Sequence, residues 1–166
     1  MAYTSYRKQY TFGQGIIDLS SSSAAASSTK YLGNEEGLGT SIATTSSSTA
    51  RTPIDLKADE QMFALKARLD IKVLQAFTGS SGAATLSVMT CGPAAADATG
   101  NTPDTSNAYE VMSVPLTTAH SPVASSQPWF EITMPSNLKR WVFLKIVVSA
   151  NAFTTGKILV NFNPNL

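Results

Sequence analysis

The sequence predicts an all-β protein, folded as a two-layer antiparallel β-sandwich with an extended N-terminal arm. Three observations favour this fold class. Charged residues make up only 14% of the 166 residues, whereas 40 residues are Ser or Thr, which suit strands and turns. Several segments alternate apolar and polar side chains with the period of two that half-buried strands show. One segment near the C-terminus is apolar on both faces, so its sheet must pack against a second layer.

The first fifty residues differ in composition from the rest of the chain and predict the arm. Residues 20–30 and 41–51 are low-complexity tracts of Ser, Thr and Ala, which offer little apolar surface to offset the entropy of ordering. Between the N-terminus and the first tract, GIIDL (residues 15–19) is a strand fragment. We therefore divide the chain into an arm over residues 1–50 and a β-sandwich domain over residues 51–166.

Residues 63–73 predict the first long strand of the domain. Every odd position in this segment is apolar, and the even positions in its second half are charged: Lys66, Arg68, Asp70 and Lys72. This alternation indicates a strand with one solvated face. Helix-forming residues are also common here and Asp59 and Glu60 could begin a helix, so a helix is the alternative.

The next segments predict a turn, two strands and a loop. Gly79 and Gly82 tolerate positive φ and so favour a turn, after which ATLSVMTC (residues 84–91) returns as a strand. Residues 91–107 are rich in Gly, Pro, Asp and Asn and predict a loop. The strand AYEVMSVPLT (residues 108–117) contains Pro115, which cannot donate to a β-ladder and so indicates an edge strand or a bulge.

The C-terminal segments predict a short strand and a terminal hairpin. Residues 129–134 form a strand between two prolines. Residues 138–163 contain two apolar segments on either side of a turn that includes Gly156, which we interpret as a hairpin. One face of each hairpin strand is wholly apolar, through Val142, Leu144, Ile146 and Val148 in the first and Ile158, Val160 and Phe162 in the second.

Charge and cysteine content exclude several classes of function. The net charge of +1 predicts no broad attraction to nucleic acid or to an anionic membrane. Cys91 is the only cysteine, so no internal disulfide and no zinc finger can form, and we expect a small packed residue. The longest apolar run, Trp141–Val148, is too short to span a bilayer, and no secretory signal is evident. We therefore expect synthesis in a cytosol.

Residues for catalysis or metal binding are scarce, and we predict no catalytic site, no cofactor and no metal. His120 is the only histidine and lies in a loop without a nucleophile motif. The adjacent Glu35 and Glu36 are interpreted as solvated loop charges. Glu110 and Glu131 lie on separate predicted strands, and the sequence leaves open whether they meet. The loop oxygens of Asp97, Asn101 and Asp104 lack the spacing of a calcium loop.

The N-terminal segment YTSYRKQYTF (residues 3–12) and the basic strand face are the candidate partner-binding features. Aromatic residues with basic ones can stack on nucleic-acid bases, but they equally anchor protein interfaces, and a frayed terminus is the third possibility. The basic face of residues 66–72 is either solvated or contacts an acidic protein. We predict that six residues of the N-terminal segment contact a protein partner: Tyr3, Tyr6, Arg7, Lys8, Tyr10 and Phe12.

Three segments together resemble the capsid cement, or decoration, proteins of certain tailed bacteriophages. They are GIIDL or PIDL near the start, SGAATLSVMT (residues 81–90), and ITMPSNLKRWVFLKIVVSANAFTTGKILVNF (residues 132–162). The closing pattern carries most of the match: a Pro-x-x-x-x-Arg turn, a strand, an FTTGK turn and a last strand. The resemblance covers residues 54–163, and IDL occurs twice, so either copy could correspond to the family's motif.

The resemblance implies a small jelly-roll-like protein that sits outside the major capsid shell and bridges neighbouring subunits. It further implies a homo-oligomer, with a dimer as first choice and a trimer as second, that is made in the host cytoplasm and located on the virion. No catalytic residue, cofactor, membrane or direct nucleic-acid contact is implied. The alternative function is a carbohydrate- or receptor-binding β-sandwich, in which Trp129 beside Pro128 would stack on a sugar.

Overall fold

The computed structural model describes residues 10–12, 16–20, 29–33, 53–56, 67–79, 81–119, 130–135, 137–148 and 153–163. These residues form strands and one short 3-10 turn, with no α-helix among them. The strands in chain order are β1 (Tyr10–Thr11), β2 (Ile17–Asp18), β3 (Thr29–Leu32), β4 (Ile54–Asp55), β5 (Arg68–Thr78), β6 (Ala83–Cys91), β7 (Tyr109–Thr117), β8 (Phe130–Thr133), β9 (Trp141–Val148) and β10 (Thr155–Asn163).

The strands form two antiparallel sheets. Sheet 1 has the order β1-β10-β5-β8, and β2 also pairs with β10. Sheet 2 has the order β3-β9-β6-β7, and β4 also pairs with β9. β1 and β2 therefore act as one interrupted strand along β10, and β3 and β4 as another along β9. With each such pair counted once, the described strands number eight, four in each sheet. Successive strands lie in opposite sheets except for β6 and β7, which are neighbours in sheet 2, and this order is that of a jelly roll. The predicted all-β sandwich is confirmed.

One apolar core fills the space between the sheets. The inward-facing side chains of the four central strands are completely buried, and each stabilises the fold by about 1.5–3 kcal/mol relative to exposure. This result confirms the predicted alternation. The residues are Leu69, Ile71 and Val73 in β5, Leu86 and Val88 in β6, Val142, Leu144 and Ile146 in β9, and Ile158, Val160 and Phe162 in β10.

The predicted terminal hairpin is wrong. β9 and β10 are consecutive along the chain, but β9 lies in sheet 2 and β10 in sheet 1. Phe153, two residues before β10, lies in the core. A hairpin and a crossover bury the same alternating positions, so alternation alone cannot distinguish them. Six residues separate the two strands, which is longer than the tight turns that hairpins favour.

Other predicted elements are confirmed, with shifted bounds. β5 continues to Thr78, and the helix alternative is excluded for its eleven residues, whereas residues 57–66 lie outside the described part of the chain. Gly79 adopts a φ of 132°, as the predicted turn requires, but Gly82 is not among the described glycines with positive φ. Pro115 lies on β7, which is the outer strand of sheet 2.

The described segments of residues 1–50 are short strands that pair with the two sheets, and the predicted arm included such strand fragments, for example at residues 15–19. β1 and β2 cover one side of β10, and β3 covers one side of β9. Phe12, Ile17, Leu19 and Leu32 are buried in the main core. The remaining residues of this region lie outside the described residues, so the predicted boundary at residue 50 is untested there. Without these short strands, β9 and β10 would be exposed edges above an open core.

The tripeptide IDL takes the same position in both sheets. Its first copy begins with β2 and its second with β4, and both isoleucines and both leucines are buried. The backbone N–H of Leu19 donates to the carbonyl of Gly156 at 2.8 Å, and that of Leu56 donates to the carbonyl of Arg140 at 2.8 Å. The first copy therefore bonds the end of β2 to the start of β10, and the second bonds the end of β4 to the residue before β9.

The aspartate of each IDL copy forms an ion pair with a basic residue. For Asp18 this residue is Lys157 in β10, and for Asp55 it is Arg140, which directly precedes β9. Asp18 lies 3.9 Å from the ammonium of Lys157, whereas Asp55 lies 2.7 Å from the guanidinium of Arg140. Only the Asp55 pair has the short, two-pronged geometry of a strong charge-assisted contact. Of these two basic residues, Arg140 therefore makes the closer contact with its aspartate.

Candidate functional site

The outer face of sheet 2 carries a second apolar cluster at the end next to the loop 92–108. Met89, Cys91, Trp141 and Phe143 are buried there, and Ala108 packs against them. The strand register places Met89 opposite Phe143 and Cys91 opposite Trp141. Trp141 and Phe143, on the second face of β9, thus belong to a separate cluster next to the loop.

The loop 92–108 is closed at its base by a short backbone ladder. Pro93 and Pro103 form an isolated antiparallel bridge. The N–H of Ala94 donates to the carbonyl of Thr102 at 2.8 Å, and the N–H of Asp104 donates to the carbonyl of Gly92 at 2.9 Å. The chain therefore leaves and re-enters the sheet through adjacent residues.

The carboxylate of Asp97 organises the tip of the loop. Its Oδ1 accepts hydrogen bonds from the N–H and the hydroxyl of Thr99, at 2.9 and 2.6 Å. Its Oδ2 accepts from the N–H groups of Asn101 and Thr102, at 2.9 and 2.6 Å. These hydrogen bonds, first from Thr99 and then from Thr102, hold the pKa of Asp97 well below its ordinary value. Gly100 completes the turn with a φ of 65°.

Asp104 performs a similar role where the loop returns to β7. It caps the 3-10 turn by accepting from the side-chain amide of Asn107 at 2.7 Å and the hydroxyl of Ser106 at 2.7 Å. These two hydrogen bonds lower the pKa of Asp104. The pKa of the neighbouring Cys91 thiol is raised instead, to about 11, first by burial and then by the negative charge of Asp104. The prediction that Cys91 is a packed residue is confirmed by its burial.

Arg140 connects this loop to the sandwich. Its Nε and Nη2 donate to the two carboxylate oxygens of Asp55 in β4, at 2.8 and 2.7 Å. Its Nη1 donates to the carbonyl of Gly100, and its Nη2 lies 3.3 Å from the side-chain oxygen of Asn101. The guanidinium also lies 4.2 Å from the centroid of the Trp141 ring, a cation–π contact. One side chain therefore holds the loop tip, β4 and β9 together.

The turn before β9 is fixed by two further hydroxyl groups. Thr90 donates to the carbonyl of Trp141 at 2.9 Å and accepts from the N–H of Lys139 at 2.8 Å. Tyr109 donates to the carbonyl of Asn137 at 2.6 Å. The Pro-x-x-x-x-Arg motif in the sequence is thus the segment that delivers Arg140 to the loop.

The sequence patterns above predicted no role for Arg140, Asp55 or Asp97 in this arrangement. Two signals were available. Arg140 is the charged residue that ends the motif carrying the resemblance, and an Asp followed two residues later by Thr and then Gly is typical of a turn capped by the Asp side chain. Asp55 has no comparable signal, because its partner lies 85 residues away in the sequence.

The predicted partner-binding residues are only partly described. Tyr3, Tyr6, Arg7 and Lys8 lie outside the described residues, and for Tyr10 the structure defines only its backbone in β1, opposite Phe162. Phe12 differs from its prediction. It is fully buried, with its ring centroid 6.2 Å from that of Phe162, so its side chain belongs to the chain's own core and not to a partner-facing surface.

The other candidate residues are not brought together into a catalytic or metal-binding arrangement. Glu110 lies on β7 and Glu131 on β8, in different sheets. Both oxygens of Asp97 accept hydrogen bonds from loop groups, and the described residues contain no group of three or more possible metal-binding side chains. The remaining candidates lie outside the described residues: Glu35, Glu36, Lys66, His120 and Trp129.

The basic face predicted on β5 includes an internal ion pair. Arg68 Nη2 donates to Oδ2 of Asp70 at 3.1 Å, and its Nε lies 2.7 Å from Oδ1 with an angle outside hydrogen-bond geometry. Asn163 also donates to Oδ2 of Asp70, at 2.8 Å, and Glu131 lies 3.7 Å from Arg68. Asp70 is only 4% exposed, so part of the face predicted to be solvated is a polar network within the sheet.

Replacing Asp97 with asparagine is expected to reduce the acid sensitivity of the protein. A carboxylate whose folded-state pKa is lowered contributes stability that is fully present above its ordinary pKa of about 3.9 and is lost as pH falls through the folded-state value. The wild-type melting temperature should therefore decline below about pH 4. Asp97→Asn should start several degrees lower at pH 7 and decline less, with Asp104→Asn changing in the same direction. Thermal melts between pH 7 and 2 provide the measurement, and parallel curves for all three proteins would contradict it.

No helix in the described part of the chain combines the length and the apolar character needed to cross a membrane. Comparison with models of protein families, with curated proteins and with solved structures finds no match.

Proposed function

We propose that this protein is a capsid decoration protein, which binds the outer surface of a phage head and bridges neighbouring major capsid subunits. The observation that carries the proposal is that the segments bearing the resemblance form β2 or β4, β6, the end of β8, β9 and β10 of a β-sandwich with the strand order of a jelly roll. Jelly rolls recur in viral capsid proteins and lectins. Because a fold alone does not establish function, the resemblance of the sequence supplies the choice between these classes.

The described structure supports a role that depends on rigidity. Side-chain contacts hold the two turns of the closing pattern in place. In the Pro-x-x-x-x-Arg turn, Arg140 binds Asp55 and the carbonyl of Gly100. In the FTTGK turn, the hydroxyl groups of Thr155 and Thr78 share a hydrogen bond of 2.8 Å. A rigid domain that contacts two subunits makes its second contact intramolecular, so each individual contact can be modest. Selective binding to the mature shell would stabilise that state by about 2.7 kcal/mol per site at a ligand concentration a hundredfold above Kd.

In this proposal the protein acts as a homo-oligomer on the virion, with a dimer as first choice and a trimer as second. The N-terminal residues Tyr3, Tyr6, Arg7, Lys8 and Tyr10 contact capsid or neighbouring decoration subunits. Phe12 is no longer included, because its side chain lies in the main core. The edge strand β7, with Pro115 on it, is a second region where copies of the chain meet.

The proposal is tested with capsids prepared from a phage that lacks the gene for this chain. Purified protein is expected to co-sediment with expanded capsids at saturating stoichiometry and to raise the temperature at which they rupture. Absence of co-sedimentation would contradict the proposal. A glycan array tests the alternative: glycan binding that is lost in Trp129→Ala, combined with no capsid binding, would identify a carbohydrate-binding module instead.

A further inference from the structure

We propose that the groove beside β10, which β1 and β2 occupy in the structure, is a binding site for the same two strands of a second copy of this chain. We call residues 10–12 and 16–20 the β1–β2 unit. This inference rests on the proposed function, because it names the segment that joins the copies of the homo-oligomer. Exchange of an identical element is a low-cost route to an oligomer, since the contacts in the groove stay the same.

The groove beside β10 recognises an extended tripeptide. It holds the first IDL copy in antiparallel register, with Asp18 opposite Lys157. Ile17 and Leu19 are buried, and the N–H of Leu19 donates to the carbonyl of Gly156 at 2.8 Å. In this mode of recognition the backbone bonds fix the direction of the bound strand, and the buried positions select its alternate side chains.

The same tripeptide is recognised a second time, beside β9. Ile54 and Leu56 are buried there, and the N–H of Leu56 donates to the carbonyl of Arg140 at 2.8 Å. The residues that flank the tripeptide differ between the two copies. The tripeptide itself therefore carries the recognition, and it does so wherever a central strand offers this groove.

The second IDL copy is locked into its own chain, whereas the first is exchangeable. Arg140 binds Asp55 through two hydrogen bonds and also holds the loop 92–108, and β4 lies in the chain between β3 and β5 of opposite sheets. The ammonium of Lys157 lies 3.9 Å from Asp18, and both side chains are partly exposed. An ion pair of this kind holds a strand weakly.

The β1–β2 unit is self-contained. Among the described strands, β1 and β2 pair only with β10. The N–H and the hydroxyl of Ser20 donate to Oδ1 of Asp18, at 2.9 and 2.6 Å, so the turn after the tripeptide is held within the unit. Residues 21–28 join the unit to β3, and a connection of this length spans up to about 28 Å. That reach exceeds the roughly 10 Å between packed sheets, so it extends to a neighbouring copy.

An empty groove is unfavourable, so a copy that gives up its own unit accepts another. Phe12, Ile17 and Leu19 of the unit lie in the main core. Their departure opens that core and exposes an edge of β10, whose backbone groups favour pairing with another chain. Copies that lie side by side on a shell are at a high effective concentration, which favours exchange between them.

Cysteine cross-linking of full-length variants tests the exchange. Because Leu19 bonds to Gly156, the adjacent positions 18 and 157 form a non-hydrogen-bonded pair, with Cα atoms about 4.5 Å apart, which a disulfide spans. Asp18→Cys and Lys157→Cys, carrying tags of different mass, are co-expressed, purified and oxidised. We expect at least tenfold more covalent heterodimer than from Asp18→Cys with Thr133→Cys, which replaces an exposed residue of β8.

The double variant Asp18→Cys, Lys157→Cys shows which copy fills the groove. Exchange predicts disulfide-linked dimers or larger species on a non-reducing gel. A monomer with an internal disulfide, together with no excess of heterodimer in the mixture, overturns the inference. Free thiols in the double variant also overturn it, because β2 would then not lie beside β10.

A measurement on the wild-type chain needs no substitution. A carbodiimide couples the Asp18 carboxylate to the Lys157 ammonium in a mixture of isotope-labelled and unlabelled chains that were refolded together. Exchange predicts cross-linked peptides of mixed isotope content, whereas uniformly labelled or unlabelled peptides alone overturn it. Neither experiment uses capsids. Internal cross-links in a protein that co-sediments with capsids leave the decoration function standing, and exchanged copies that do not co-sediment contradict that function alone.

Discussion

Replacing Phe12 with alanine is expected to lower the free energy of unfolding by about 3–5 kcal/mol, the usual cost of removing a buried phenylalanine. Phe12 is fully buried, and its ring contacts that of Phe162 in a tilted arrangement. It follows directly after β1, which pairs with only two residues of β10. The cavity would therefore open beside a weakly held strand, and β1 should detach from the sheet.

The measurement is urea denaturation followed by tryptophan fluorescence, with Ile16→Ala as the matched control. Ile16 is an apolar residue of the same region, but it is 51% exposed. Its replacement should change the free energy of unfolding by no more than about 0.5 kcal/mol. Equal, small effects of the two substitutions would show that residue 12 lies on an arm outside the core, as the composition of the first fifty residues predicts.

Adding a methyl group at Gly156 or Gly82 is expected to destabilise the fold by about 1–3 kcal/mol through overpacking. A Cβ atom on Gly156 would lie 2.5 Å from Cδ1 of Phe77, and one on Gly82 would lie 2.6 Å from Cδ1 of Phe153. The two phenylalanine rings stack on each other, with centroids 4.8 Å apart. Because both rings are buried, neither can withdraw without displacing the other.

Gly92→Ala is the control for these substitutions, since a Cβ atom there would meet nothing within 4 Å. It should leave the urea midpoint close to that of the wild-type protein. The double variant Gly82→Ala, Gly156→Ala should differ from the sum of the single changes, because both act on the same pair of rings. If Gly156→Ala and Gly92→Ala have the same midpoint, the stacked rings yield easily and the predicted packing constraint is wrong.

The sequence by itself determined which residues of the four central strands enter the core. Alternation in β5, β6, β9 and β10 depends only on the strand period, because side chains on one face of a strand recur every second residue. A chain with these apolar faces must bury them whatever the order of its strands. For the same local reason, Gly79 at the turn and Pro115 on an outer strand could be predicted from single residues.

The tertiary structure alone decided how the strands are arranged. β9 and β10 lie in opposite sheets, although their pattern is equally compatible with a hairpin. The low-complexity tracts at residues 20–30 and 41–51 led to the prediction of an arm, although single apolar residues outside them, such as Phe12 and Leu32, enter the core. Composition averages over a segment, whereas a two-residue strand needs only one or two buried side chains and a free edge to pair with.

The candidate site shows the same division between local and long-range information. The Asp97 turn is encoded within six residues, so its hydrogen bonds follow from local sequence. The Arg140 contact joins residues that are 85 and 40 positions apart, Asp55 and Gly100, and no local pattern specifies such a pair. Only the packing of β4 and the loop beside the start of β9 brings these groups within hydrogen-bond distance.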